Sequence, residues 1–525
     1  MQSGTVRLKG KYMKKNKSRI TIIIISLLLL AAIGGTVIFV MNREDQMPKA
    51  TVVLYDGPET LEDATAEDLE NASESSRDFS IKHCVDTVVK VNGQECYVYD
   101  TNVNHTRTWY SNYEPPQSRT PITYFDFEGE VKLEVIVPEQ DLEKVTISPF
   151  SYGIEPKINK KEHSVTFHIT EPDTYTVLFN DSPERAVHIF ANPLEEDIPD
   201  PDDENVIYIG PGENKAYKID VESGQTVYIA GGAVVHGRIT VENETDVVIR
   251  GRGIIDGSNL NGWKGSSAYI PLEINNSQNV TVHDIMFLNS NAWVCQAFGT
   301  QDLVMDGVKI ISSRPNGDGI SIQSCQNVEV KNGFVRSWDD SLVVKNYSGN
   351  SANIHFSNMQ LWTDLAQSME IGYETNKGQR ADASITNVTF EDICVLHNYH
   401  KPVISIHNGD DATVSDILFK NITVEDAQMG SGDGSVMPYL IDLHIGQNAQ
   451  WSRTKERGQI DGVTIENVKV LSGNFCGSRI QGYDAEHKVS NVSINNLEIL
   501  GEKITDFKSG KFTINETTTS NITIQ

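Results

Sequence analysis

The sequence predicts an all-β protein: an N-terminal β-sandwich followed by a right-handed parallel β-helix, preceded by one transmembrane helix. Three observations predict it. An uncharged apolar run lies near one end of the chain. Short apolar alternations broken by turn residues fill residues 79–200. From about residue 205 a turn-plus-strand unit recurs at solenoid spacing.

The anchor comes first. Residues 1–19 carry seven basic residues (Arg7, Lys9, Lys11, Lys14, Lys15, Lys17, Arg19) and no acid, in a chain of 525 residues with a formal net charge of −28. Ile20 to Met41 follows, 22 residues without a charge. As a helix it would span about 33 Å, enough to cross a bilayer core. The basic flank predicts that residues 1–19 are a cytoplasmic tail, that residues 20–41 are an uncleaved signal anchor, and that the body is extracellular. A cleaved signal peptide is the competing reading, but its apolar core would be only about 7–15 residues. Ala31-Ala32-Ile33-Gly34 is also a poor cleavage site. The expected location is the cell membrane, single-pass. Residues 42–78 read as an acidic flexible tether, because Glu59 to Ser76 is rich in Glu, Asp, Ala and Ser. The acidic balance argues against a nucleic-acid partner, which would need clustered Lys and Arg.

The sandwich is expected over residues 79–200. Val131-Lys132-Leu133-Glu134-Val135-Ile136-Val137 and Val165-Thr166-Phe167-His168-Ile169 alternate with period two, as half-buried strands do. The acidic stretch Glu195 to Glu204 closes this unit. Residues 205–525 then repeat an Asn or Asp followed by β-branched residues, at Asp246, Asn279, Asp302, Asn327, Asn353, Asn387, Asp416 and Asn491. The first six are separated by 33, 23, 25, 26 and 34 residues. A propeller would want about 40–45 residues per blade, and a leucine-rich repeat would want Leu at these positions. Several units spell N-x-S/T; the Asn is read as a turn residue and the Ser or Thr as a strand residue, rather than as glycosylation sites. Six scattered cysteines contain no C-x-x-C, so no zinc site is expected. Cys84 with Cys96 and Cys295 with Cys325 could pair outside the cell, or each could be a single buried thiol.

Three aspartates look chemical. Asp318 lies in Asn316-Gly317-Asp318-Gly319, and Asp339-Asp340 follow 21 and 22 residues later, close to one coil. Positions one coil apart stack at about 4.8 Å, so the three carboxylates should converge on one face. Like charges that close cannot all ionise freely, and at least one pKa should rise. A protonated carboxyl beside ionised ones is what glycoside hydrolysis needs: an acid for the leaving oxygen and a base for water. The alternative for these residues is turn chemistry or a calcium site.

At these residues the C-terminal region, roughly 205–500, resembles the polygalacturonases, glycoside hydrolase family 28, whose pattern is N-T-D followed about 21 residues later by D-D. Tyr228 to Gly237, Arg250 to Gly257 and Asn289 to Trp293 are similar to the same clan. The resemblance implies an inverting mechanism with Asp339 as general acid and with Asp318 and Asp340 activating water. It implies no metal and no cofactor, and a polysaccharide or oligosaccharide substrate. Lys345 and Lys401 could contact sugar hydroxyls or a carboxylate, or be solvated surface lysines, and Gln367 and Glu370 lie one coil beyond the aspartates, where they could line a subsite. His400 and His407 could supply hydrogen bonds or be structural, and Trp338, Tyr347, Tyr373 and Tyr399 are candidates by position for stacking faces, or fill the core. Two departures stand out. The family's G-H-G falls near Ala366-Gln367-Ser368, without a His, and its R-I-K falls near Tyr399-His400-Lys401, with only the Lys. These departures point toward the sister family of dextranases and isopullulanases, glycoside hydrolase family 49, which also carries a β-sandwich ahead of the β-helix and whose layout the runs Asp339 to Tyr347, Met369 to Tyr373 and Val395 to Tyr399 resemble. A β-helix polysaccharide lyase and a non-catalytic carbohydrate-binding surface protein are the competing functions.

Overall fold

The computed structural model describes residues 50–65, 80–103, 118–138, 140–265, 267–428, 439–474 and 477–525. Among these the only helix is the 3-10 turn Phe150–Tyr152; all other regular structure is strand.

Two sheets build the first unit. One has seven strands, with Ser118–Glu128 and Ser182–Asn192 at its centre; the other has five, centred on Val131–Ile136. Alternation explains the five-stranded sheet: in Val131–Ile136, Val131, Leu133 and Val135 are buried, and Lys132 is exposed between them. Those residues meet Phe125, Phe127, Val177 and Ile189 of the larger sheet in one apolar core, the signature of two sheets packed face to face. This unit starts earlier than the alternation suggested. Thr51–Leu54 pairs antiparallel with the Leu54↔Phe125 to Thr51↔Glu128 register. Residues 51–54 thus belong to the sheet rather than to a tether, because Val52 and Leu54 pack on the core.

The second unit is a solenoid of parallel strands. One stack of eleven strands runs from Ile219–Val221 to Phe512–Ile514. Two further stacks merge at Ser351–Thr363 into single long strands, giving nineteen strands in one continuous sheet. Every coil points Val, Ile, Leu or Phe inward, and these side chains form one continuous interior core. The repeated Asn and Asp residues occupy left-handed corners: Asn327, Asn353 and Asn387 have φ of 57°, 56° and 54°. Asn and Asp tolerate that region better than other residues with a Cβ. Each corner amide donates to the coil before it, Asn353 to Asn327 at 3.0 Å and Asn387 to Asn353 at 2.8 Å.

The sandwich lies along the solenoid. Tyr99, Ile122, Tyr124 and Phe190 share a core with Val234, Met286, Phe334 and Trp362. Arg252 bonds Asp126 at 3.0 Å, and Arg336 pairs with Asp364 at 3.2 Å while reaching His188 at 3.1 Å. Both arginines are buried, and each has carboxylate or imidazole partners, as buried charge requires. The sandwich therefore braces the outer surface of one solenoid wall. The cysteines at 84, 96, 295, 325 and 394 are free thiols, so the Cys84–Cys96 and Cys295–Cys325 pairings are not formed. Residues 20–41 lie outside the described residues; among those described, no helix is long and apolar enough to cross a membrane.

Candidate active site

The eleven-stranded stack sets the site. Its register aligns Ile320, Leu342, Met369 and Ile404 on successive coils. Two residues ahead of each lie Asp318, Asp340, Gln367 and Pro402, so these four positions form a row across the sheet edge. Main-chain bonds hold the row: Gly319 N–H donates to Asp340 O at 2.8 Å, and Ser341 N–H donates to Gln367 O at 2.9 Å. The row beside it is Asp339, Ala366 and Lys401, fixed by Ala366 N–H to Trp338 O and Lys401 N–H to Leu365 O, each 3.2 Å.

The carboxylates differ in setting. Asp318 and Asp340 are buried, and Asp339 is half-buried. Asp339 accepts the N–H of Asn316 at 2.8 Å and that of Asp340 at 3.1 Å, which ties the turn carrying Asp318 to the turn carrying the pair. Asp340 accepts the Gln367 N–H at 3.1 Å. Lys345 Nζ lies 3.2 Å from Asp318, 3.5 Å from Glu374 and 4.5 Å from the centre of the Trp293 ring. Burial pushes the Asp318 carboxyl up to about 7; Lys345 opposes the rise and Asp339 adds to it. Burial likewise holds Asp340 well above the usual carboxylate range, helped by the charges of Asp339 and Asp318. Burial works against the charge on Lys345, but Glu374 and Asp318 more than offset it and raise its pKa. Desolvation and like-charge repulsion thus keep proton in a cluster that would otherwise be anionic at neutral pH.

The other sequence-derived residues fall into two groups. Gln367 donates its side-chain amide to Tyr373 OH at 3.1 Å, and Tyr373 stacks on His407 with ring centres 4.4 Å apart. Lys401 is half-buried, two coils from Asp339. Trp338, Glu370 and His400 are corrected as sugar contacts. Trp338 is fully buried against Leu365 and Tyr399, so its faces are spent on the turn. Glu370 is fully buried and accepts Ser405 Oγ and His407 Nδ1. His400 is 1% exposed and, like Gln367 at the same exposure, offers a sugar almost no surface in this structure.

A groove of about 720 Å³ opens beside the trio. Asn316, whose N–H holds Asp339, is part of its wall, along with Trp263, Trp293, Phe298, Tyr347 and Trp451. Flat apolar rings around a few polar groups suit a ligand with alternating apolar and hydroxyl faces. Sequence reasoning missed Glu374, Trp263, Trp451 and Arg453. Glu374 was signalled by its place just after the strand Met369–Tyr373. Trp451 and Arg453 sit in a loop where no periodicity assigns a side chain to the groove. A second cavity of about 470 Å³ lies between the sandwich and the solenoid, lined by Phe150, Trp362, His397 and Asp426, away from the aspartates.

Comparison with known proteins fits this geometry. Residues 215–519 match the model of glycosyl hydrolases family 28. The chain is 24% identical over 285 residues to the probable endopolygalacturonase D of Neosartorya fischeri, covering 49% of this chain and 56% of that protein. It is 24% identical over 202 residues to a probable polygalacturonase of Vitis vinifera, covering 35% of this chain and 40% of that protein. The chain thus spans about half the length of the curated relatives it matches. Among solved structures, Dex49A from Penicillium minioluteum superposes with a TM-score of 0.59 at 15% identity, over 91% of this chain and 98% of that one. At that identity the likeness speaks to the fold, including a chain of nearly equal extent.

Proposed function

This chain belongs to glycosyl hydrolases family 28, and from that premise we propose that it hydrolyses glycosidic bonds of a polysaccharide by an inverting general acid/base mechanism. The observation that carries the reading is the convergence of Asp318, Asp339 and Asp340 from successive coils beside an aromatic groove. Asp339, the half-buried member, donates a proton to the leaving oxygen. Asp318 and Asp340 orient a water on the opposite side of the sugar and take its proton. A carboxyl poised near neutrality, as Asp318 is, serves as base at physiological pH. The aromatic walls align the chain, and Lys345 fixes Asp318.

The body is held at the outer face of a cell membrane by residues 20–41; the uncharged run and its basic flank support that part of the reading.

A panel of polygalacturonate, dextran and pullulan tests the activity by release of reducing ends, with Asp339→Asn as the paired variant. New reducing ends of inverted anomeric configuration, lost in the variant, are expected. Unsaturated, ultraviolet-absorbing ends would assign a lyase instead, and binding without any new ends would assign a lectin-like role. Release of the body from intact cells by protease tests the anchor.

A further inference from the structure

One ammonium links the trio to the groove wall. Lys345 ends the strand Leu342–Lys345, and its Nζ lies 3.2 Å from Asp318 and 3.5 Å from Glu374. The Trp293 ring faces the same Nζ at 4.5 Å. Asp318, Lys345 and Glu374 are all buried. Glu374 is itself held from behind. Its backbone carbonyl accepts the Asn346 N–H at 2.9 Å, and its carboxylate accepts the Tyr347 hydroxyl at 3.1 Å. Lys377 donates to that hydroxyl at 3.3 Å and lies 4.4 Å over the same ring. Contacts thus run from Asp318 through Lys345, Glu374 and Tyr347 to Lys377 on the wall of the groove.

A lysine shared by two carboxylates cannot neutralise both. With Glu374 in place, part of the ammonium's field is directed away from Asp318. Without it, Lys345 would serve Asp318 alone and make it a weaker acceptor of a proton from water. The other charged groups facing Asp318 are Asp339 and Asp340. Arg314 is half-buried in the turn ahead of Asp318, and Arg453 faces Lys377. All of these stay the same when only Glu374 is changed.

We propose that Glu374 is a positioning residue for Asp318: through Lys345 it holds the carboxyl in place and keeps it able to take a proton from the attacking water. This deepens the hydrolase reading and rests on it. At 4% exposure Glu374 offers a sugar almost no surface, so its action passes through Lys345 and not through the substrate.

The test is the pH profile of kcat/KM for the full chain and for Glu374→Gln, on whichever of polygalacturonate, dextran and pullulan is cut. Gln keeps the shape and an acceptor for Tyr347 but carries no charge. Two carboxylates on one ammonium interact by about one to two pH units at an effective dielectric of about 20. The acidic limb of the profile should move down by about that much. The plateau should fall roughly 3- to 10-fold, because a weaker base takes a proton more slowly, with KM little changed. Glu374→Asp restores the charge and should return the limb toward wild type. Lys345→Met removes the cation and should move the limb up. A limb that stays put or rises in Glu374→Gln, or equal limbs in the Gln and Asp variants, overturns the inference and leaves the hydrolase reading standing. Where Glu374→Gln does not fold, an unmoved limb in Lys345→Met overturns it. If no polymer is cut, the hydrolase reading fails, and unfolding at pH 5 and pH 8 decides the inference separately. A smaller loss of stability with rising pH in Glu374→Gln than in wild type upholds the link to Asp318; an equal loss overturns it.

Discussion

Aspartates recur at coil spacing in two regions of the solenoid, and the two regions treat them in opposite ways. On the corner ladders Asp302 is solvent-exposed, and its carboxylate accepts Asn327 Nδ2 at 2.9 Å and Gln278 Nε2 at 3.1 Å, which holds its pKa below the usual range. At the trio Asp318 and Asp340 are buried one coil apart, and burial raises both, with the charge of Asp339 adding to it. Stacking by itself is neutral between scaffold and chemistry. What separates the two is burial first, and then the neighbouring charges: Asp302 stands in solvent and takes amide donors, whereas Asp318 and Asp340 are buried beside acids that repel.

The largest effect that could break this comparison is at Asp339. Asp339→Asn keeps the shape and removes the transferable proton, so turnover should fall by about 10²–10⁴-fold. The apparent melting temperature should fall modestly, because Asn keeps one of the two oxygens that accept the N–H groups of Asn316 and Asp340. Reducing-end rates and thermal unfolding of the same preparation check both halves. Undiminished turnover would return this pair to the ordinary turns of the ladder.

Next in size is the pH dependence at Asp318. Its folded pKa of about 7 lies above the unfolded value of about 3.9. The folded state therefore binds the proton more tightly, and Asp318 lowers stability as pH rises from about 4 to about 7. Asp318→Asn should abolish that contribution, on the order of 2–4 kcal/mol, while costing activity. Denaturant unfolding at pH 5 and pH 8 measures it. A slope identical in wild type and variant would mean that Asp318 ionises as freely as a ladder aspartate.

The ladder should respond in the reverse sense. Asn353→Ala loses the amide links to Asn327 and Asn387 and places an alanine at φ 56°. The left-handed conformation by itself costs about 1–2 kcal/mol. Stability should fall by about that much with no change in turnover. Asn353→Gly, which is comfortable at positive φ, should recover part of the loss.

The sequence announced the two halves of this comparison unequally. The ladders were legible because a corner that needs left-handed backbone recurs as Asn or Asp before β-branched residues, and the N-x-S/T tripeptides resolve into that pattern. The trio was legible because Asp318 and Asp339-Asp340 are separated by nearly one coil. Spacing along one row did not reveal which neighbours point outward. Trp338 and Glu370 share coils with groove residues yet face into packed surroundings. The groove's far wall was not legible either. Trp451 and Arg453 reach it from a loop whose path is set by Asp410, which accepts the backbone N–H of Arg453 and Thr454. Such contacts join residues more than forty positions apart and leave no local pattern. The strand Thr51–Leu54 was hidden for a related reason, since four residues beside an acidic stretch carry too short an alternation to separate a strand from a spacer.

Tyr373 sharpens the comparison at the small end. Its hydroxyl takes the Gln367 side-chain amide, and its ring lies on His407, with planes 5° apart. Tyr373→Phe keeps the stacking and deletes the acceptor. Gln367 grips Asp340 through its main-chain N–H, which the sheet register fixes independently of the side chain. The loss should therefore be that of one hydrogen bond to a neighbouring group, about 0.5–1.5 kcal/mol of stability, read in denaturant unfolding, with kcat little changed. A decrease as deep as that of Asp339→Asn would show that the hydroxyl itself touches the reacting sugar, and the boundary of the chemical region would then lie one coil further along the solenoid.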